Sequence, residues 1–430
     1  MRTWDEINLV VEGGLSFEFP KMYKIQQTWD FPYLTEVKAA LRKEFSASSA
    51  SGLIKPGMKI AIAVGSRGID QLPEVVKAIV ELLKGCGAEP FVIPAMGSHG
   101  GGDSRNQAKI LHSYGITEEA IGAPIESSMD TVEIGKLQNG TPLYCDKLAY
   151  ESDGIIVVNR VKPHTSFRGQ IESGLTKMMA IGLGKHRGAT AFHRWGFAAM
   201  REMLMEAAPI FLSNAPILMG VALLENAYDK LSVIKVVKPD DWVAQEEALL
   251  SQARSMMPRL PLDDIDVLIV DEMGKNISGA GMDPNIINRA GSPAFIPSPS
   301  PRINKLVVLD LTDESGGNAI GVGVADLITR RLVDKINLSY MYANAITATV
   351  LAGSRIPMPL ANDREAIAVS IKTCNAAGPV KIVRIKNTLE LSEIWVSEGC
   401  LKLLENRSGI QVKEHRSMEF DESRAIFNFS

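Results

Sequence analysis

Cysteine is scarce in this chain: four in 430 residues, at positions 86, 145, 374 and 400, with no paired spacing. Such a scatter supports neither a disulfide framework nor a cysteine-built zinc site. Long apolar runs are missing too. The longest, residues 215–224, covers only about half of the roughly 20 residues a membrane-spanning helix needs. Charge of one sign is absent, since 46 Lys plus Arg face 50 Asp plus Glu for a formal net charge of −4. No block of five like charges occurs, which excludes the footprint of a nucleic-acid backbone binder or a polybasic membrane-surface protein. The opening MRTWDEINLV lacks the basic stretch and apolar core of an export signal, so a cytoplasmic location is expected.

What is present is an ordinary folded composition, 46% hydrophobic and 22% charged. A single core stops growing at roughly 250–300 residues, so 430 residues predict two domains. From residue 58 the pattern reads strand (MKIAIAV), turn (GSRGIDQ), helix (residues 73–84) and strand (PFVIPA). Leu72, Val75, Val76, Ile79 and Leu83 share one face of a 3.6-residue period, with Pro73 in the first turn and Gly85 and Gly87 at the end. A strand, crossover helix and strand of this length form a parallel βαβ unit. A third apolar run, GIIVVN, covers residues 154–159. Residues 1–57 suggest a hairpin (NLVVEGGLSFEF) and a short helix over 34–45. Helices are expected over roughly 169–183, 189–212 and 242–253, and after the prolines of MMPRLPLDD new strands DVLIVDE and KLVVLDL begin. VADLITRRLVDKI reads as a helix and VKIVRI as a strand. The alternation predicts an α/β protein of two domains, 1–260 and 261–430, each a mostly parallel sheet flanked by helices. The last segment is a candidate for packing back on the first domain.

In parallel α/β sheets ligands bind beyond the carboxyl ends of the strands. Arg67 follows the first strand of the unit, His99 the second and His164 the third, so one guanidinium and two imidazoles are expected at one crevice. His99 stands beside glycines 97, 100, 101 and 102, which let backbone approach a ligand and expose N–H groups. Lys177 has Ser173, Gly174, Ala180 and Ile181 as helical neighbours, and desolvation there would favour its neutral, nucleophilic amine. The competing view is a lysine that merely snorkels from a partly buried helix. His186 and His193, seven residues apart, lie about 10.5 Å apart along one helix, too far to share a metal unless Gly188 breaks it. GLGKHRG, with Lys185, resembles a phosphate loop but lacks the Ser or Thr after the lysine; GVGVAD at 321–326 lacks the third glycine of a dinucleotide fingerprint.

In layout, Arg67, His99, His164, Lys177 and His193 resemble the nickel-dependent lactate racemase family of 2-hydroxyacid racemases and epimerases. The resemblance covers most of the chain. It implies two α/β domains with the active site in the cleft between them, and a nickel-pincer nucleotide as cofactor. On it, Arg67 binds the substrate carboxylate, His99 and His164 are acid and base, Lys177 tethers the cofactor and His193 ligates nickel. Lys185 is counted with the cofactor-binding residues. Two departures mark a divergent member: SFRGQIESGLTK is longer than the corresponding stretch of the lactate enzymes, and the loop GKNISGAGMDPNIINR has no glutamine, with Arg289 nearest the expected second-domain cation.

The residue types suit that chemistry. The C–H of a 2-hydroxyacid is weakly acidic, so moving its hydrogen as hydride avoids a carbanion, while two groups titrating near neutrality manage the hydroxyl proton. A guanidinium fork matches a carboxylate, and imidazole suits nickel. The expected partners are a 2-hydroxyacid or sugar acid and the proteins that make the cofactor. Alternatives from other classes are an NAD-dependent oxidoreductase using GVGVAD, a zinc hydrolase using the histidines, and a non-catalytic protein that binds a carboxylate or nucleotide.

Overall fold

The computed structural model describes residues 15, 18–48, 50–405 and 407–429. Apart from Leu15, Glu18 and Phe19, the hairpin expected over residues 8–19 lies outside the described residues. The chain divides into two compact units, residues 31–257 and residues 1–30 with 258–430.

The first 30 residues thus depart from the expected 1–260 domain. Strand β1 (Lys21–Gln27) buries Met22 and Ile25 and pairs antiparallel with strands from the far end of the chain. In chain order the others are β2 (Lys59–Val64), β3 (Glu89–Pro94), β4 (Thr131–Lys136), β5 (Pro142–Asp146), β6 (Gly154–Arg160), β7 (Ile217–Glu225) and β8 (Leu231–Val237). Then come β9 (Asp264–Met273), β10 (Arg302–Leu311), β11 (Leu327–Thr329), β12 (Met358–Leu360), β13 (Ile382–Ile385), β14 (Glu393–Ser397) and β15 (Ile410–Ser417).

In the unit of residues 31–257 five strands run in the order β3-β2-β6-β7-β8. The first four are mutually parallel and β8 is antiparallel. After their first residue β2 and β3 are buried throughout, as solid apolar runs between two helical layers must be. The helix Leu72–Gly85 buries the predicted face, including Val75, Val76, Ile79 and Leu83, against this sheet. The chain crosses from β2 to β3 on one side, then returns past β2 to β6 on the other. That reversal makes the carboxyl ends of β2 and β6 a topological switch point, where open α/β sheets form their ligand crevice. A separate pair, β4 and β5, completes the unit's strands.

The other unit holds an eight-stranded sheet, β12-β11-β10-β9-β13-β14-β1-β15. Its strands β12 to β13 are parallel, and β14, β1 and β15 are antiparallel to their neighbours. The helix expected over 324–336 is instead β11 followed by the short helix Arg330–Lys335. Leu327, Ile328 and Thr329 are all buried in a ladder between β10 and β12, and a buried run this short carries no period to distinguish strand from helix. GVGVAD therefore leads into a strand rather than a helix, and the geometry of a dinucleotide fingerprint is not met. Among the described residues no helix is long and apolar enough to cross a membrane.

Candidate active site

Arg67, His99 and His164 follow β2, β3 and β6 by three, five and four residues, at the same edge of three adjacent parallel strands. The loop after β3 is held from inside. Buried Gln107 donates from Nε2 to the carbonyls of Gly97 and His99, both at 3.0 Å, and Asp103 caps the following helix Ser104–Ser113 at the Asn106 N–H. Gly97 (φ 58°) brings this loop so close to Ile181 that an added Cβ would lie 3.2 Å from the Ile181 carbonyl. The Ser66 hydroxyl contacts Nδ1 of His99.

The stretch after β6 is not the expected start of a helix at 169. Residues 162–173 form a loop closed by Lys162 and Ser173, each donating its N–H to the other's carbonyl. At its centre is Glu172, with no exposed side-chain surface. One carboxylate oxygen accepts the His164 N–H at 2.6 Å; the other accepts the Gly169 N–H at 3.0 Å and pairs with Arg254 at 2.5 Å. Arg168 donates to the His164 carbonyl at 2.7 Å. Both backbone polar groups of His164 are therefore fixed, and its ring Nδ1 accepts the Ser166 N–H at 2.9 Å.

The helical segment begins at Leu175, passes into a π-helical stretch over Met178–Leu183, and continues as the helix Lys185–His193. Single π turns inside helices often mark functional sites. Lys177 lies directly before the π stretch. Its neighbour Thr176 is gripped by Glu246, a fully buried carboxylate that accepts the Thr176 N–H at 3.0 Å and its hydroxyl at 2.6 Å, while Trp242 donates to that hydroxyl at 3.1 Å. Glu246 thus caps a helix start that has no cap of its own, since the N-cap is Gly174. The expected 189–212 helix is broken at Gly196 (φ 70°), where a second helix, Gly196–Asn214, sets off. Phe197 at that corner lies 5.5 Å from the His164 ring and 6.1 Å from the His193 ring.

Electrostatics tie the five residues together. Burial, with Arg67, Lys177 and His193 adding their charge, pushes His99 down to about 4 even though it keeps solvent access. Burial, then Lys177 and Lys162, hold His164 well below the ordinary imidazole range. His193 is lowered by burial and by Lys177. The amine of Lys177 is brought down to about 8 by burial, Lys162 and Arg67, with Glu172 opposing. The result is three imidazoles unprotonated at neutral pH and one lysine with a substantial neutral fraction, which is the equipment of general base and nucleophile.

Burial also raises the Glu246 carboxyl to about 7, against the hydrogen bonds from Thr176 and Leu175. A carboxyl whose folded pKa exceeds its unfolded one contributes stability fully present below pH 4.5 and lost as pH rises through 7, on the order of 3 kcal/mol. The stability difference between the wild type and Glu246→Gln is therefore expected to move against the wild type between pH 4.5 and 7.5. Parallel chemical denaturation across that range checks it, and a pH-independent difference would show that the carboxyl titrates normally.

Two of the expected site residues are engaged in other contacts. Lys185, counted as cofactor-binding, has no exposed surface; its Nζ lies 2.8 Å from Asp146 and donates to the Pro94 carbonyl. That ammonium is consumed by an internal ion pair and is not offered to a phosphate. Arg289 donates to the Val324, Ile303 and Asn304 carbonyls and pairs with Asp326 at 2.8 Å. These contacts hold it at the amino end of β10, away from that sheet's carboxyl edge. The helix carrying His186 and His193 is unbroken at Gly188, so the two do not share a metal. Among the described residues no three His, Cys, Asp or Glu form a group able to hold a metal ion. Glu172 and Glu246 were not singled out from sequence. The available signal is the four-residue repeat Trp242, Glu246, Leu250, which places an acid on a buried helical stripe.

No curated protein matches the chain. The structure is similar to that of the lactate racemase apoprotein from Thermoanaerobacterium thermosaccharolyticum, with a TM-score of 0.53 and 12% identity, covering 86% of this chain and 99% of that one. At that identity the likeness speaks for the fold alone. Residues 23–204 match the lactate racemase N-terminal domain, a span that contains Arg67, His99, His164, Lys177 and His193. Through that segment this chain is similar to the lactate racemase N-terminal domain.

Proposed function

We propose that the chain is a racemase or epimerase that inverts C2 of a 2-hydroxyacid. The observation that carries this reading is the meeting of Arg67, His99, His164, Lys177 and His193 in one electrostatically coupled group at the switch point of a parallel sheet. Arg67, an exposed guanidinium at the rim, suits the substrate carboxylate as a planar two-pronged donor. Of His99 and His164, both unprotonated at rest, one takes the hydroxyl proton of the bound enantiomer and the imidazolium so formed returns that proton to the oxygen of the product, and the other does the same in the opposite direction. For His164 this requires its Nε2 proton to shift to Nδ1 at the expense of the Ser166 bond.

The donor set fits a nickel-pincer nucleotide. A metal that arrives in its own organic ligand needs one protein donor and a tether, and the site offers the unprotonated His193 imidazole and the Lys177 amine, brought down to about 8. The chemistry such a cofactor supplies when bound is acceptance of hydride from C2 and its return. Proteins of cofactor synthesis are the partners this reading calls for, and the cytoplasm is its compartment.

The test is expression with those proteins, then incubation with a panel of 2-hydroxyacids and chiral analysis. Interconversion of at least one enantiomeric pair, with C2 hydrogen retained in deuterated water, is expected; no interconversion by nickel-loaded protein overturns the reading. His193→Ala is expected to lose stoichiometric nickel by elemental analysis, while His164→Ala keeps it. Unchanged nickel in His193→Ala would remove residue 193 from the metal site.

A further inference from the structure

We propose that the helix Trp242–Ser255 is the rail that fixes His164 and Lys177 relative to each other, with Glu246 and Arg254 as positioning residues acting through Thr176 and Glu172. The inference rests on reading His164 and Lys177 as site residues.

Trp242, Glu246, Leu250 and Arg254 recur every fourth residue, so they form one stripe along the helix. At one end of the stripe Trp242 and Glu246 hold Thr176, the residue before Lys177. At the other end Arg254 pairs with Glu172, whose second oxygen takes the His164 N–H. A third tie lies between, where Gln170 donates to Glu247 at 2.6 Å. Each functional residue is therefore one intermediary away from the same rigid element. Glu246 and Arg254 are eight residues apart, about 12 Å along an α-helix, which sets the spacing of the two anchor points.

Two further observations favour positioning over simple packing. A buried carboxylate costs several kcal/mol to desolvate, and an apolar side chain of similar volume would serve stability as well or better. Gly174 also leaves its space to Glu246, because a Cβ there would come within 2.0 Å of the carboxylate. The chain thus keeps a costly group and gives up a neighbouring side chain to accommodate it. The twelve residues between His164 and Lys177 cannot hold a fixed separation by covalent connectivity alone, since most of them form a loop; the helix adds a constraint to the Lys162–Ser173 closure.

The experiment uses the full chain and needs no loaded cofactor. Trace amine labelling across pH, read by mass spectrometry, follows Lys177; the ring resonances of selectively 15N-labelled histidine follow His164. In Glu246→Gln the Lys177 titration is expected to move by about one pH unit, tenfold in reactivity near its midpoint, with the His164 signals near their wild-type positions. In Glu172→Gln and Arg254→Met the His164 signals shift and Lys177 titrates nearly as before. Thr176→Ser, which keeps the hydroxyl, behaves as wild type, whereas Thr176→Val resembles Glu246→Gln. If Glu246→Gln does not fold, Glu246→Asp, with its shortened reach, replaces it with the same expectation. Variants that lower the melting temperature yet leave both readouts at wild type overturn the proposal, as do variants that move both readouts alike. A protein that shows these separate shifts but racemises nothing refutes only the catalytic reading.

Discussion

His99→Ala and His164→Ala are each expected to slow interconversion of the preferred 2-hydroxyacid by about 10² to 10⁴, the range for loss of one positioned acid or base. Both imidazoles are kept unprotonated by burial and by the cations Arg67, Lys162 and Lys177, so each is a competent base well below the pH where a free histidine would be half protonated. The acid limb of kcat/KM should therefore lie far below 6.5, nearer the value of about 4 to which His99 is pushed. Because Arg67 remains to bind the carboxylate, the loss should fall on kcat more than on KM. Nickel content should be unchanged, which separates the imidazoles from the metal ligand. Chiral analysis at saturating substrate decides the matter, and a variant at either position with near wild-type kcat removes that residue from proton transfer.

Lys185→Met is expected to destabilise the unit of residues 31–257 by about 3–5 kcal/mol, the cost of leaving a buried charge unpaired. Lys185 and Asp146 have no exposed side-chain surface and lie 2.8 Å apart, and Asp146 also caps the short helix Lys147–Tyr150. Removing the ammonium strands a carboxylate with no exposed surface. At roughly 2–4 °C per kcal/mol for a unit of this size, the melting temperature should fall by about 6–20 °C. The double variant Lys185→Met with Asp146→Asn, which has no charge left to bury, should recover much of the loss, since removing both members of a buried pair is far less costly than removing one. Calorimetry of the three proteins tests this. A single variant as stable as the wild type would mean that the pair is not closed off from water.

The parts of the architecture legible in the sequence were those with a period or a long apolar run. MKIAIAV, PFVIPA and GIIVVN became β2, β3 and β6, and the residues just beyond them are brought to one edge because the strands are adjacent and parallel. Lys177 and His193 join that group through a helix whose course could be anticipated only in outline. What escaped was held by distant pairing. Nothing local in SFRGQIESGLTK shows that Glu172 turns inward to bind Arg254 at a separation of 82 residues. Nor does ITRRL reveal that its first residues complete a ladder rather than a helical turn. Lys185 shows the complementary case: a cation in a loop-like string suggests an anion site, yet an internal carboxylate can claim the charge, as Asp146 does.

The placement of β1 bears on how the protein is made. It is held between β14 and β15, whose residues leave the ribosome more than 360 positions after Gln27. At about 5–20 residues per second, that strand waits roughly 20–80 seconds for its neighbours, while residues 31–257, a compact unit of their own, are complete long before. Met22 and Ile25 are exposed for that interval, so chaperone demand during translation should concentrate on that strand, and a stall late in the message should release a chain whose β1 is unpaired and aggregation-prone.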